Sequence, residues 1–324
     1  MTEKEPDVPK TSDLETPADQ LAETKHSVTI EGQEIEYRAV AGTLVLKEEE
    51  ESKEKEAQGE KPKASIFFIA YTKVCPKGQD EAEFQRTRPI TFSFNGGPGS
   101  SSVWLHLGLL GPRRVQVTDE KNQPLPPPYY LHDNEYSLLD ETDLVFIDPV
   151  STGYSRAVPG EKTSRYHSFE KDIESVGDFI RLYVSRYMRW TSPKFLIGES
   201  YGTTRAAGIS GYLHERHGMY LNGIMLVSTI LSFQTARFTT GNDLPYILFL
   251  PTYAATAWYH QKLPEDLQQD LHKTLGEVEE FALGDYTLSL MKGIAIPEEE
   301  RAEIVQRLAR YTGLSPAYIE QTNM

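Results

Sequence analysis

The chain has 324 residues, 39% of them hydrophobic and 25% charged, with a formal net charge of −15 and one cysteine. That length supports a sizeable core, and the composition is that of an ordinary globular protein. The acidic excess offers no basic surface for nucleic acid, and a single cysteine excludes internal disulfides and zinc-thiolate clusters and suits a reducing cytosol.

Residues 1–26 are polar, acidic and proline-containing, and read as a disordered tail. The opening MTEKEPDVPKTSDLETPADQ has no basic stretch leading into an apolar one, so no signal peptide is visible. Short β-patterned runs follow: HSVTI, EIEYRAV after a Glu31-Gly32 turn, and TLVLK. EEEESKEKEAQGEKPK (48–63) reads as a charged hairpin loop, and SIFFIAYT (65–72) resumes the sheet. Cys75 stands in the polar stretch VCPKGQDE with no activating signature and reads as a plain loop thiol. PITFSF (89–94) has the unbroken apolar character of a buried central strand.

From there strands and helices alternate. DLVFIDP (143–149), KFLIG (194–198) and NGIMLVS (222–228) are strands. Between them lie SFEKDIESVGDFIRLYVSRY (168–187), with Phe169, Ile173, Val176, Ile180 and Tyr183 at helical spacing behind a Ser168 cap, and the helix TTRAAGISGYLHERHG (203–218). Such alternation implies a mostly parallel sheet with helices on both faces. After Phe233 only helical patterns appear, in YILFLPTYAATAW (246–258), 264–283 and 297–313. The first is too short to span a membrane and contains a proline, and no run of about 18 apolar residues occurs anywhere. The expected organisation is a tail over 1–26, a core over 27–232 and a helical cap over 233–324.

Two glycine-rich stretches carry the chemistry. GESYG (198–202) is a G-x-S-x-G pattern between a strand and a helix, where a serine sits on a tight corner with its hydroxyl exposed. An ordinary glycine turn satisfies the same five residues. NGGPGSSS (95–102) follows the strand PITFSF. It lacks the G-K-[ST] of a phosphate loop and the G-x-G-x-x-G spacing of a dinucleotide fingerprint. A loop of this kind after an earlier strand fits an oxyanion hole, with one N–H from Gly97 and one from Tyr201, the residue after the candidate nucleophile Ser200.

These stretches, with NEYSLLDETDLVFIDPVSTGYSRA (134–157) and FLIGESYGTTRAAGIS (195–210), resemble the serine carboxypeptidase family over roughly residues 65–232. The resemblance implies an α/β-hydrolase-like fold and a peptidase releasing C-terminal residues through an acyl-enzyme on Ser200. It implies oxyanion donors at Gly97 and Tyr201 and no metal or cofactor. It also implies that Asn95 and Glu199, the latter in its acid form, bind the carboxylate of a peptide substrate. Asn95 serves equally as a turn residue bonding its own loop.

The departures from the family are specific. Ser93 stands where the family carries Trp, and Leu109 where it carries a second Glu, which removes the carboxyl pair of the substrate-carboxylate site. An acyltransferase or esterase using the same acyl-enzyme, or a binding module without activity, therefore stay open. Arg113 and Arg114 read as surface arginines, with a carboxylate clamp as the alternative. The later histidines His214, His217, His260 and His272 do not follow a late core strand, where the base of a Ser-Asp-His order belongs; His106 is the nearest earlier rival. The expectation is a cytoplasmic, N-terminal portion of a longer enzyme, inactive alone, with a complete protein lacking its base as the alternative.

Overall fold

The computed structural model describes residues 17–51, 57–118 and 123–324. The chain divides after Leu231 into two compact units. The first opens with an antiparallel meander of β1 (Gln20–Ile30), β2 (Gln33–Glu51) and β3 (Ala57–Lys73). Glu31 and Gly32 both take positive φ, 48° and 78°, the geometry of a two-residue hairpin turn matched to strand twist.

Two expectations fail here. Within the tail read over 1–26, β1 begins at Gln20 and pairs with β2 from Gln20↔Thr43 onward; residues 1–16 lie outside the described residues. Within the loop read over 48–63, β2 runs to Glu51 and β3 starts at Ala57, with Glu48 opposite Lys61; residues 52–56 lie outside the described residues. Residues 20–26 are exposed, so their side chains are free to be polar while their backbones pair. Glu48 opposite Lys61 favours pairing modestly, and Glu49 opposite Glu60 opposes it.

After α1 (Glu81–Thr87), capped by Asp80, come β4 (Ile90–Phe94) and the short α2 (Val103–Leu105), which continues as a π-helical turn over His106–Leu110. A small ribbon of β5 (Arg113–Val115) and β6 (Leu131–Asp133) precedes β7 (Asp143–Ile147) and the two-residue β8 (Arg156–Ala157). Then follow α3 (Phe169–Arg186), β9 (Lys194–Glu199), α4 (Tyr201–His217) and β10 (Gly223–Val227). The sheet order is β1-β2-β3-β7-β4-β9-β10, with β8 beside β3. It is antiparallel through the β3–β7 pair and parallel from β7 to β10.

The period of two sorts each strand's side chains between two cores. Phe68, Phe92, Val145 and Leu196 pack with Ile173, Val176 and Ile180 of α3 and Ala206, Ile209 and Leu213 of α4. Tyr71, Leu144, Phe146 and Ile197 face the other way, against Leu105, Leu110 and Leu139. Ser168 caps α3 as its sequence position suggests, its Oγ accepting from Lys171 N at 3.3 Å. β10 is an edge strand, and Ile224, Met225 and Val227 are exposed on it.

Where the parallel strands begin, Asp143 is buried between two buried arginines. Its Oδ1 accepts from Arg88 Nε at 2.8 Å and from Lys73 N at 3.0 Å, and its Oδ2 from Arg189 Nη1 at 2.6 Å. The guanidiniums also donate to Leu139 O, Arg88 O and Ser192 Oγ. Lys194, its pKa lowered by burial and then by Arg189, donates to Trp190 O and Ser192 O.

The second unit, residues 232–324, is helical. It comprises α5 (Leu244–Tyr259), α6 (Glu265–Gln268), α7 (Leu271–Phe281), α8 (Thr287–Lys292), α9 (Glu298–Thr312) and α10 (Pro316–Gln321). The single helix read over 264–283 breaks at Asp270, whose Oδ1 accepts from Lys273 N at 3.1 Å and starts α7 afresh. Leu250, Val278, Phe281, Ile304, Leu308 and Tyr311 form the unit's own core.

Candidate active site

Ser200 occupies the corner between β9 and α4, with φ 57° and ψ −124°. A non-glycine residue held in that region stores strain of about 1–3 kcal/mol and persists only where its surroundings fix it. The fixing bonds are Ser200 N to Val227 O at 2.9 Å and Thr203 N to Ser200 O at 2.9 Å. Ser200 is half-buried, and among the described residues no hydrogen bond involves its hydroxyl.

The loop after β4 lies directly on this corner. A Cβ on Gly96 would stand 2.4 Å from Tyr201 N and 2.6 Å from Glu199 O, so only glycine allows the approach. Gly202 meets the loop from the other side, where a Cβ would come within 2.8 Å of Phe94 O. Gly97, Pro98 and Gly99 remain exposed. The two stretches singled out by the sequence therefore meet at the carboxyl end of the parallel sheet.

Both ends of the loop are tied down. Asn95 Nδ2 donates to Glu199 Oε2 at 3.0 Å, and Asn95 Oδ1 accepts from Leu105 N at 3.0 Å. Asn95 thus bonds its own loop and reaches Glu199 at the same time. At the far end Ser102 N donates to Asp148 Oδ1 at 2.8 Å, and Ser102 Oγ to Ile147 O. Burial pushes the Asp148 carboxyl up despite the amides that bond it.

Beneath the corner lies a group that sequence reasoning missed. Arg205, 1% exposed, donates from Nε to Asp172 Oδ2 at 2.8 Å and from Nη1 to Asn95 O at 2.6 Å. Its guanidinium lies over the rings of Tyr201 and Phe94. The Tyr201 hydroxyl also bonds Asp172, and burial followed by that carboxylate raises the phenol's pKa. A signal existed: Arg205 is the one charged residue in the buried stripe Gly202, Arg205, Ala206, Ile209, Leu213 of α4. A cavity of about 440 Å³ beside the loop is lined by Gly99, Val150, His167, Asp172, Tyr201 and Arg205.

The Nε2 of His106 is already engaged. The residue is buried, shares a 2.6 Å hydrogen bond from Nε2 with the Tyr71 hydroxyl, and packs on Phe146. Burial lowers its pKa to about 4. His217 Nε2 bonds Asp178, and the His214 ring lies tilted against that of Tyr220. Arg113 pairs with Asp133 across the β5–β6 ribbon, and Arg114 lies over the Tyr136 ring. Leu109, on the π-helical turn, is exposed. Among the described residues no group of three or more His, Cys, Asp or Glu side chains could hold a metal ion, and no helix is long and apolar enough to cross a membrane.

A sheet in which β7 lies between β3 and β4, with a strained serine after β9 facing a glycine loop after β4, is that of an α/β-hydrolase. The chain belongs to the serine carboxypeptidase family, whose model matches residues 58–303. It is similar to serine carboxypeptidase-like 33 of Arabidopsis thaliana, 28% identical over 148 residues, covering 42% of this chain and 27% of that one. It is also similar to carboxypeptidase Y homolog A of Talaromyces stipitatus, 26% identical over 145 residues, covering 44% and 24%. The matches thus span about a quarter of the length of these relatives. Among solved structures, the peroxisomal alpha-beta-hydrolase Lpx1 of Saccharomyces cerevisiae aligns over 82% of this chain and 62% of its own, at 10% identity and a TM-score of 0.33.

Proposed function

We propose that this chain carries the nucleophile, oxyanion site and part of the substrate-carboxylate site of a serine carboxypeptidase acting on peptides in a reducing cytosol. The observation that carries the reading is the seating of the 95–99 loop against the Tyr201 amide, beside a strained, half-buried Ser200.

In the proposed reaction Ser200 Oγ bonds to the carbonyl carbon of the last peptide bond while its proton passes to a base. The Gly97 and Tyr201 amides stabilise the oxygen that becomes negative, an interaction worth about 3–4 kcal/mol per donor in comparable sites. The C–N bond then breaks, the leaving amine takes the proton, and water hydrolyses the acyl ester. Asn95 and Glu199, already hydrogen-bonded to each other, are the proposed contacts for the substrate's terminal carboxylate. The base and its orienting acid are proposed to lie outside these 324 residues. The engagement of His106 with Tyr71 and of His217 with Asp178 supports that assignment.

Exposed Leu109, standing where the family carries a glutamate, favours a second reading, transfer of the acyl group to an alcohol or hydrolysis of esters. The full-length protein should be assayed on a blocked dipeptide, its C-terminal amide and its methyl ester. Cleavage of the free-acid dipeptide well above the amide is expected for a carboxypeptidase. Cleavage of the ester alone would favour the second reading.

A further inference from the structure

We propose that Arg205, braced by Asp172, is a positioning residue that sets the direction of the amide donors at Ser200; this rests on the reading of the 95–99 loop as the oxyanion site. Three elements meet at its guanidinium. Asp172 comes from α3, Asn95 from the end of β4, and Arg205 itself from the first turns of α4, one helical turn beyond Ser200.

The Asn95 carbonyl begins the peptide unit that leads into Gly96 and Gly97. Arg205 Nη1 holds this carbonyl at 2.6 Å, while Glu199 and Leu105 N hold the Asn95 side chain, so Asn95 is fastened on both sides. The same guanidinium lies 5.2 Å from the centre of the Tyr201 ring, and Asp172 holds the Tyr201 hydroxyl. One buried ion pair therefore fastens the residues that lead into both proposed donors, Gly97 and Tyr201.

A buried ion pair is poor evidence of net stability, because desolvation offsets most of its attraction. A role in geometry fits this one better. Its bonds go to the Asn95 carbonyl and to Tyr201, the residues flanking the exposed Gly97–Gly99 at this corner. Lysine is a weak substitute, since one ammonium lacks the planar fork that spans a carboxylate and a carbonyl at once.

The test uses the full-length protein with Arg205→Met, Arg205→Lys and, as a gentler change of similar shape, Asp172→Asn. Amide hydrogen exchange is read over a peptide containing 95–99 and over one containing β7, and kinetics are read on a p-nitrophenyl ester. For Arg205→Met the expected result is exchange over 95–99 about tenfold faster with β7 unchanged. A kcat about 100-fold lower with KM within about threefold should accompany it, the size of loss that small misplacements cause. Arg205→Lys should recover part of both effects, and Asp172→Asn should show a weaker form of each. Exchange unchanged over 95–99, or raised equally in β7, would overturn the proposal. If the unsubstituted protein shows no turnover at Ser200, the hydrolase reading fails, and the exchange result still decides whether Arg205 holds the loop.

Discussion

At the end of the sheet where β4, β7 and β9 begin, Asp143 satisfies Arg88 and Arg189, and the remaining guanidinium nitrogens find backbone carbonyls. At the opposite end, where β4 and β9 finish, Ser200 holds a positive φ and the Asn95–Gly99 loop crosses the corner on glycines. Its buried charges, Arg205 and Asp172, pair with each other and also reach out to the Asn95 carbonyl and to Tyr201. At the starting end the buried charges are met by one another and by backbone groups. The finishing end holds the strained Ser200 and the exposed Gly97–Gly99 side by side.

Substitutions at the two ends should fail in different ways. The largest effect belongs to Ser200→Ala in the full-length protein. Turnover should fall by about 10³-fold or more while the thermal midpoint barely moves, because the proposed oxyanion donors and substrate contacts would remain. Steady-state kinetics beside a melting curve checks both halves, and near-normal turnover would move the chemistry away from this corner. Next comes Asp143→Ala, which leaves two buried arginines without their carboxylate. A loss of about 3–5 kcal/mol is expected in denaturant unfolding, with turnover per folded molecule unchanged.

A smaller, pH-dependent effect comes from His106, on the face of the sheet that carries Tyr71 and Phe146. Its imidazole titrates near pH 6.5 in the unfolded chain but at about 4 when buried. Between those values the unfolded state binds a proton that the folded state does not. Stability therefore falls as pH drops from 6.5 to 4 and levels off below, by roughly 3 kcal/mol in all. Asp148, raised by burial, works with the opposite sign at acid pH. The difference between wild type and His106→Gln isolates the imidazole, and the variant should lose this slope. Smallest is Ser93→Ala. The Ser93 hydroxyl is fully buried with no partner among the described residues, so its removal should stabilise the protein by up to about 1 kcal/mol in thermal unfolding.

What could be read beforehand, and what could not, follows the range of the interactions. Ser200, Gly97 and the Ser168 cap are local: their neighbours in the chain supply the turn or the helix start. Arg205 is different, because its partners lie 33 and 110 residues away and a charged residue on a helix reads first as solvated. Asp148 needed Ser102, 46 residues earlier, to show its purpose. Residues 20–26 show no alternation because they are exposed, and only their register with β2 marks them as strand.

If Ser200 is the reactive group, mass spectrometry of the full-length protein after exposure to a fluorophosphonate should show one adduct, mapped to the peptide containing GESYG. It should be absent from Ser200→Ala and diminished in Arg205→Met. Activity that survives without an adduct on Ser200, or an adduct on another residue, would contradict that assignment.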